Sequence, residues 1–294
     1  MSQRNLADPK QAGDTPPFPQ KELDYPGVES DMTPAPDYGA DSYTGSGKLT
    51  DRVALITGGD SGIGRAVALA YAREGADVVI SYLNEDSDAQ ETVAAIEAAG
   101  RRALAIPGDI GDESHCIRLV ERTVQEFTRI DILVNNAAYQ SSHESIHDLP
   151  SDEWDRAFKT NIYAMFYLSR AALKHLPKGG SIINTTSIQA YQPSPELLHY
   201  ATTKGAITTF TKALSQTGLK QSVRVNAVAP GPVWTPLIPA TIPAEQASQF
   251  GQGSEMGRPA QPAELAPIYV FLASDDASYI SGQIIGVTGG VPLT

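Results

Sequence analysis

Cysteine is nearly absent: the chain of 294 residues has one, Cys116. A single thiol forms neither an internal disulfide nor a cysteine metal cluster, and on a predicted helix its expected place is that of a small buried side chain. Long apolar runs are missing too. None approaches the roughly 18 residues a helix needs to cross a bilayer, and 41% hydrophobic with 19% charged residues is the composition of a globular protein. Positive charge is scarce, with 22 Lys and Arg against 34 Asp and Glu; the net charge of −12 repels nucleic-acid phosphates. Neither a nucleic acid nor a membrane is expected as a partner. Met1 to Lys10 carries no basic stretch followed by an apolar core, so the expected location is cytoplasmic. The five histidines, at 115, 143, 147, 175 and 199, show no ligand spacing, and no metal is expected.

What is present divides near residue 48. Residues 1–47 hold seven prolines and eight acids against three bases, with no apolar periodicity. Alone, such a segment cannot bury enough surface to offset its ordering entropy. Two readings stay open: a mobile tail, or an extended arm that Phe18, Leu23, Tyr25, Met32 and Tyr38 anchor to the body or to a neighbouring subunit. Residues 48–294 alternate short β-rich runs with helical segments, the pattern of a parallel sheet covered on both faces. Strands are predicted at Val53–Thr57, Asp77–Tyr82, Ala103–Ile106, Ile132–Asn135, Ser181–Thr185, Arg224–Val228 and Ile284–Val287. Helices are predicted near Gly62–Glu74, Asp86–Ala99, Glu113–Phe127, Trp154–Leu176, Leu197–Gly218 and Ala263–Ala273. Seven parallel strands with crossover helices make a single doubly wound α/β domain of the Rossmann type.

Two motifs carry chemistry. Directly after the first strand comes Thr57-Gly58-Gly59-Asp60-Ser61-Gly62-Ile63-Gly64, opening a helix. Glycines at 58, 62 and 64 permit a tight turn and close backbone approach, and a helix N-terminus offers unpaired amides to a pyrophosphate. A glycine string is weak evidence alone; its place in the first βα turn of a doubly wound unit is what sets it apart from an ordinary turn. The second motif is Tyr200-Ala201-Thr202-Thr203-Lys204, whose spacing puts a phenol and an ammonium on one helix face. A nearby cation lowers a phenol's pKa toward the range where it passes a proton to or from a substrate oxygen. Ser187 stands at the end of the fifth strand, placed to hydrogen-bond a substrate carbonyl and its developing charge. Tyr and Lys four apart also occur by chance, as do capping serines and solvated lysines.

The Thr-Gly-x-x-x-Gly-x-Gly spacing, followed by Ser187, Tyr200 and Lys204 in order, resembles the short-chain dehydrogenase/reductase family from Lys48 to about Gly290. That resemblance implies a hydride transfer between a nicotinamide cofactor and a carbonyl or alcohol, with Tyr200 as acid/base. It adds Asn161 to Ser187, Tyr200 and Lys204 as the catalytic set, Asn161 holding a helix backbone and a water that links the lysine to solvent. The implied cofactor contacts are Gly58, Asp60, Ser61, Gly62, Ile63 and Gly64 in the turn, Tyr82 and Leu83 after the second strand, and Asp109 and Ile110 after the third. They continue through Asn136, Ala137 and Ala138, the last replacing a family glycine, to Tyr200, Lys204, Pro230, Gly231, Val233 and Thr235. Gln140, Ser187, Gln189, Tyr191, Tyr200 and Trp234, with Pro193, are expected to wall the substrate pocket, and Ile238 to Met256 to act as a lid. Residues Pro26 to Lys48 resemble a long-tailed subgroup of general-stress oxidoreductases, an NADP-dependent aldehyde reductase, and glucose and ribitol dehydrogenase homologues, which implies an aldehyde or sugar-like substrate.

The family's NAD-specific members carry an acid where this chain has Tyr82, and its NADP-specific members an arginine where it has Leu83. Both cofactors are therefore expected to work, with a lean to NADP resting on Arg65 and the hydroxyls of Ser81 and Tyr82, opposed by Glu85 and Asp86. The resemblance also implies a homotetramer paired through the helices at 154–176 and 197–218. A catalytically silent nucleotide sensor and a lyase or epimerase on the same scaffold are the rival readings, since fold alone never assigns function.

Overall fold

Five consecutive buried residues, Val53–Thr57, form the first strand (β1) of the computed structural model, which describes residues 8–294. The first seven residues, and with them most of the Met1 to Lys10 stretch, lie outside the described residues. After β1 come β2 (Asp77–Tyr82), β3 (Ala103–Pro107), β4 (Ile132–Asn135), β5 (Ser181–Thr185), β6 (Arg224–Pro230) and β7 (Ile284–Val287). All pair in parallel in the order β3-β2-β1-β4-β5-β6-β7.

A strand buried on both faces sends alternate side chains to opposite layers. Ala54 and Ile56 of β1, Val78 and Ile80 of β2 and Val134 of β4 face one layer, built on α1 (Gly62–Arg73), α2 (Asp86–Ala98) and the later helix Pro262–Ala273. Leu55, Val79 and Leu133 face the other, built on α3 (Glu113–Phe127) with Cys116 buried in it, as expected of that thiol. The predicted helix from 154 to 176 is a run of three pieces: α4 (Ser151–Phe158), a π-helical turn at Lys159–Tyr163 and α5 (Ala164–Ala172). Such a turn inserts a residue's worth of slack and re-aims side chains, a common device near functional groups. Next is α6 (Leu198–Leu219), then a short helix, α7 (Ala244–Ser248), inside the segment expected as a lid, and then α8, the helix Pro262–Ala273. No described helix is long and apolar enough to cross a membrane.

Residues 8–47 run as an arm along the body. Their anchors differ from a simple hydrophobic strip. Phe18 and Met32 are buried in a third apolar cluster with Trp234, Ile238 and Ala247; the Phe18 and Trp234 ring centroids are 4.3 Å apart, and the indole N–H donates to the Pro34 oxygen at 2.8 Å. Backbone bonds add to this: Phe18 N–H to Ser248 O at 2.8 Å and Leu23 N–H to Pro239 O at 3.0 Å. The segment expected as a free lid is therefore strapped by the arm.

Because that cluster draws its apolar contacts from the arm, Phe18→Ala should cost about 3 kcal/mol, the range for a buried phenylalanine replaced by a cavity. Chemical denaturation measures this; a change below 1 kcal/mol would show that the cluster contributes little to stability.

Candidate active site

At the carboxyl ends of β1 and β4 the strand order reverses, and the crevice such a switch point leaves opens into a cleft of about 560 Å³. Its floor is the turn between β1 and α1. Asn136 Nδ2 donates to the carbonyls of Thr57 and Gly58, both at 3.1 Å, and the amides of Asn136 and Ala137 donate to Thr57 Oγ1 at 3.0 and 3.1 Å. Gly58 (φ +60) and Gly62 (φ +52) need left-handed backbone and open space together: a Cβ would lie 3.0 Å from Ala137 Cα at the first and 2.9 Å from Thr235 Cγ2 at the second. Asp60, Ser61 and Ile63 complete the floor, and Tyr82, Leu83, Asp109, Ile110 and Ala138 line one end. Pro230, Gly231, Val233 and Thr235 line the opposite wall. Gly64, expected as a cofactor contact, is not on the wall: its Cβ would sit 1.8 Å from the Gly58 oxygen, so it serves to close the turn.

One face of α6 presents Tyr200 and Lys204 to the cleft, both buried, with Nζ 5.1 Å from the phenol ring centroid. Ser187 is also on the wall, and its Oγ accepts the Gln189 N–H at 3.2 Å. Burial pushes the Tyr200 phenol up to about 12 despite the nearby Ser187 hydroxyl, which lowers it, and burial pulls the Lys204 ammonium down to about 7. The ammonium was expected to lower the phenol; with both groups out of water, desolvation instead raises the phenol and lowers the ammonium. Lys204 Nζ donates to the Thr185 oxygen at 2.9 Å.

Asn161 does not line the cleft. Seated in the π-helical turn, its Oδ1 accepts the Tyr139 N–H at 2.8 Å, and its Nδ2 donates to the Tyr139 oxygen at 2.9 Å and Thr203 Oγ1 at 3.0 Å. These bonds hold the loop after β4, not the helix backbone that was expected, and they reach α6 one residue before Lys204.

Gln140 and Gln189 lie on the wall as expected; three other pocket residues do not. Trp234 is fully buried beneath the arm. Tyr191, past the 3-10 turn Ile188–Ala190, is not among the residues that line the cleft, while Pro193 borders a separate shallow depression. In their place stand residues the sequence reading missed, namely Tyr25 and Pro26 of the arm, Arg156 of α4, and Gln246 and Gln249. Tyr25 had been named as an anchor, but nothing local says that it reaches the cleft; its hydroxyl donates to the Ala138 oxygen at 3.3 Å, and Arg156 sits 4.6 Å from its ring.

Arg65 does not face the cleft either. It is buried and pairs with Glu29 at 2.8 Å, Glu91 at 3.2 Å and Asp88 at 3.4 Å, so the cation on which the NADP lean rested is engaged elsewhere. Glu29 also accepts the Gly62 N–H at 2.6 Å, which takes that amide from the set expected for a pyrophosphate. Away from the cleft floor, His143 and His199 meet Glu153 around Ser141, yet among the described residues no group of three or more metal-ligating side chains could hold an ion.

The family profile described as Enoyl-(Acyl carrier protein) reductase matches residues 58–292. General stress protein 39 of Bacillus subtilis is 53% identical over 271 residues, 92% of this chain and 95% of that protein. Glucose and ribitol dehydrogenase of Daucus carota is 46% identical over 278 residues, 92% of this chain and 96% of that protein. A short-chain dehydrogenase from Burkholderia cenocepacia, solved in complex with NADP, superposes with a TM-score of 0.78 at 33% identity, covering 83% of this chain and 98% of that one.

Lys204 is a cation buried with one described partner, and its placement is costly. Its folded pKa lies below the unfolded one, so the folded state binds fewer protons between about 7 and the ordinary lysine value, and the burial cost is full below pH 7 and relieved as pH rises through that window. Lys204→Met should therefore stabilise the fold at pH 7 by about 1–2 kcal/mol while turnover falls at least about 100-fold. Thermal unfolding and a rate assay read both. A variant that is less stable at pH 7 would mean the ammonium is better compensated than its contacts indicate.

Proposed function

The chain belongs to the short-chain dehydrogenase/reductase family, and from that premise we propose that it is a nicotinamide-dependent oxidoreductase acting on a CH–OH or carbonyl group, with Tyr200 as proton donor and acceptor. The observation that carries this reading is the grouping of buried Ser187, Tyr200 and Lys204 at the wall of a cleft floored by the glycine-rich turn. The cleft suits a dinucleotide: Gly58 and Gly62 let the turn come close to Ala137 and Thr235 in a backbone conformation that a side chain would strain. Ser61 and Ile63 would hold the diphosphate, Asp109 and Ile110 the adenine, and Thr235 the nicotinamide end. Bound there, the cofactor supplies or accepts the hydride. This chain's own residues do the rest. Ser187 Oγ–H hydrogen-bonds the substrate oxygen, Tyr200 transfers the proton to or from it, and Lys204 places a positive charge beside the oxygen that becomes anionic. Asn161 keeps the loop after β4 and the start of α6 in register.

Gln140, Gln189, Gln246 and Gln249 line the substrate side, with Ser142 and Ser194 between them. Gln140 Nε2 already donates to Thr241 Oγ1 at 2.8 Å and Gln189 Oε1 accepts the Ser194 N–H at 2.6 Å; the remaining amide and hydroxyl groups are satisfied by a hydroxyl-bearing aldehyde, sugar or polyol and not by an acyl chain. The plant relative's name, glucose and ribitol dehydrogenase, points the same way. At the other end, buried Asp60 and Glu85 flank the place of the adenosine ribose, and the described cations of the cleft, Arg156 and Lys204, belong to the catalytic end. Both cofactors share the dinucleotide core, but the balance tips from NADP to NAD, because a 2′-phosphate would meet the Glu85 side chain, beside an Asp60 whose carboxyl burial raises to about 7, and no free arginine. The exposed aromatics Trp154, Tyr163 and Phe166 on the α4–α5 run fit an isologous interface of a homotetramer, which a mass measurement in solution checks.

Two measurements test these assignments. Tyr200→Phe should lower turnover about 100-fold or more with nucleotide affinity nearly intact. With its pKa raised, the phenol is a ready donor at neutral pH and a poor base. Wild-type kcat/KM for alcohol oxidation should then climb about tenfold per pH unit from 7 upward as the ionised fraction grows, while carbonyl reduction shows no such rise. A flat oxidation profile, or full activity in the Phe variant, removes Tyr200 from the role. Second, kcat/KM with NAD should exceed that with NADP by about tenfold or more on one good substrate, roughly 1.4 kcal/mol; equal or better use of NADP would show that a cation moves in to meet the phosphate.

A further inference from the structure

The glycine-rich turn borrows its support from a distant part of the chain. Ser61, at the N-cap of α1, makes no side-chain capping bond, although the first amides of any helix lack intrahelical partners. The missing acceptor comes from the arm. Glu29, 4% exposed, accepts the Gly62 N–H through Oε2 at 2.6 Å and the Arg65 Nη1–H through Oε1 at 2.8 Å. Its own amide donates to Asp88 Oδ2 at 2.8 Å, so backbone and side chain are both engaged. Arg65 then grips the same turn from the other side, donating through Nε to the Asp60 oxygen at 2.7 Å and to Thr92 Oγ1 at 3.0 Å. Thr92 Oγ1 donates to the Asp60 oxygen as well, at 2.8 Å. Asp60 to Gly62, which line the cleft, are thus bracketed by a carboxylate at one end and a guanidinium at the other.

We infer that Glu29 is a positioning residue for the dinucleotide: held by Arg65, its carboxylate caps α1 and fixes the Asp60–Gly62 turn in the shape that receives the diphosphate, so that the arm is a component of the nucleotide site. The inference rests on the reading of the cleft as a nicotinamide dinucleotide site. Its logic is geometric. A carboxylate placed on the Gly62 amide cannot recruit the phosphates itself, being of like charge, and Glu29 does not line the cleft. What it can do is remove the turn's freedom beforehand, so that binding does not have to order it. Arg65 makes this tolerable by offsetting the second negative charge near the helix end.

The test uses the full chain and measures the dissociation constants of NAD and NADP by titration calorimetry, alongside kcat at saturating cofactor and the unfolding midpoint. Glu29→Ala should weaken binding of the cofactor that the wild type uses by at least about tenfold, with kcat at saturation within about twofold. Glu29→Gln keeps the shape and an acceptor for Gly62 but faces Arg65 with a donor, and should fall between. It also carries the test if the alanine variant does not fold. Phe18→Ala, which loosens the arm at the third apolar cluster, is the control and should leave the nucleotide dissociation constant within about twofold of wild type. The proposal is overturned if folded Glu29→Ala or Glu29→Gln binds the cofactor as wild type does, if the loss falls on kcat, or if Phe18→Ala weakens binding as much. Failure of the wild-type chain to bind either dinucleotide would overturn the functional reading and this inference together, whereas wild-type binding with unaffected Glu29 variants overturns this inference alone.

Discussion

With 1.8 Å between the Gly58 oxygen and the place a Cβ would take at Gly64, the turn from β1 into α1 closes on itself without space for a side chain. That closure decides where other groups attach. Asn136 reaches the turn from β4 and bonds its two carbonyls, Thr57 bonds back to the amides of Asn136 and Ala137, and Glu29 and Arg65 bracket its far half. Strand β1 pairs with β2 on one side and β4 on the other, so the turn stands where the two halves of the sheet part. The cleft opens at this junction, where glycines let the turn pack closely against Ala137 and Thr235.

Burial sets the chemistry at the other end. Tyr200 and Lys204 are withdrawn from water together, and desolvation moves them in opposite directions, toward a neutral phenol and a neutral amine. Such a pair is poor for stability and well suited to holding a proton until a substrate oxygen takes it. The fold meets the cost elsewhere, with apolar clusters on both sheet faces and a third cluster shared with the arm.

The arm changes the character of the molecule. Read as composition, residues 1–47 have little to bury, and a proline-rich acidic stretch carries no periodicity to say where it lies. In the fold it supplies Phe18 and Met32 to the cluster that covers Trp234, Tyr25 and Pro26 to the cleft wall, and Glu29 to the first turn. Trp234 shows why the pocket was misjudged. A large aromatic on a loop beside an active site reads as a substrate wall until a second segment, two hundred residues away, is seen to cover it. Arg65 is the electrostatic counterpart: a cation after a phosphate-binding turn reads as a phosphate ligand until three carboxylates, one from the arm, are found around it.

Strands, helices and the Gly58–Gly64, Ser187, Tyr200 and Lys204 positions were legible from sequence because each depends on local rules: alternation at period two, helical spacing, glycine at positive φ, a four-residue step along one helix face. Those rules act over a few residues, and their outcome barely depends on what packs against them. Tertiary structure alone decided which side chains face the cleft, which charges are already paired, and what burial does to a proton affinity. The π-helical turn that aims Asn161 at the loop after β4, the arm carboxylate on the Gly62 amide and the raised phenol of Tyr200 all come from groups far apart in sequence. A chain pattern specifies where its backbone turns and which face is apolar; desolvation and ion pairing belong to neighbours brought together only when the whole chain has folded.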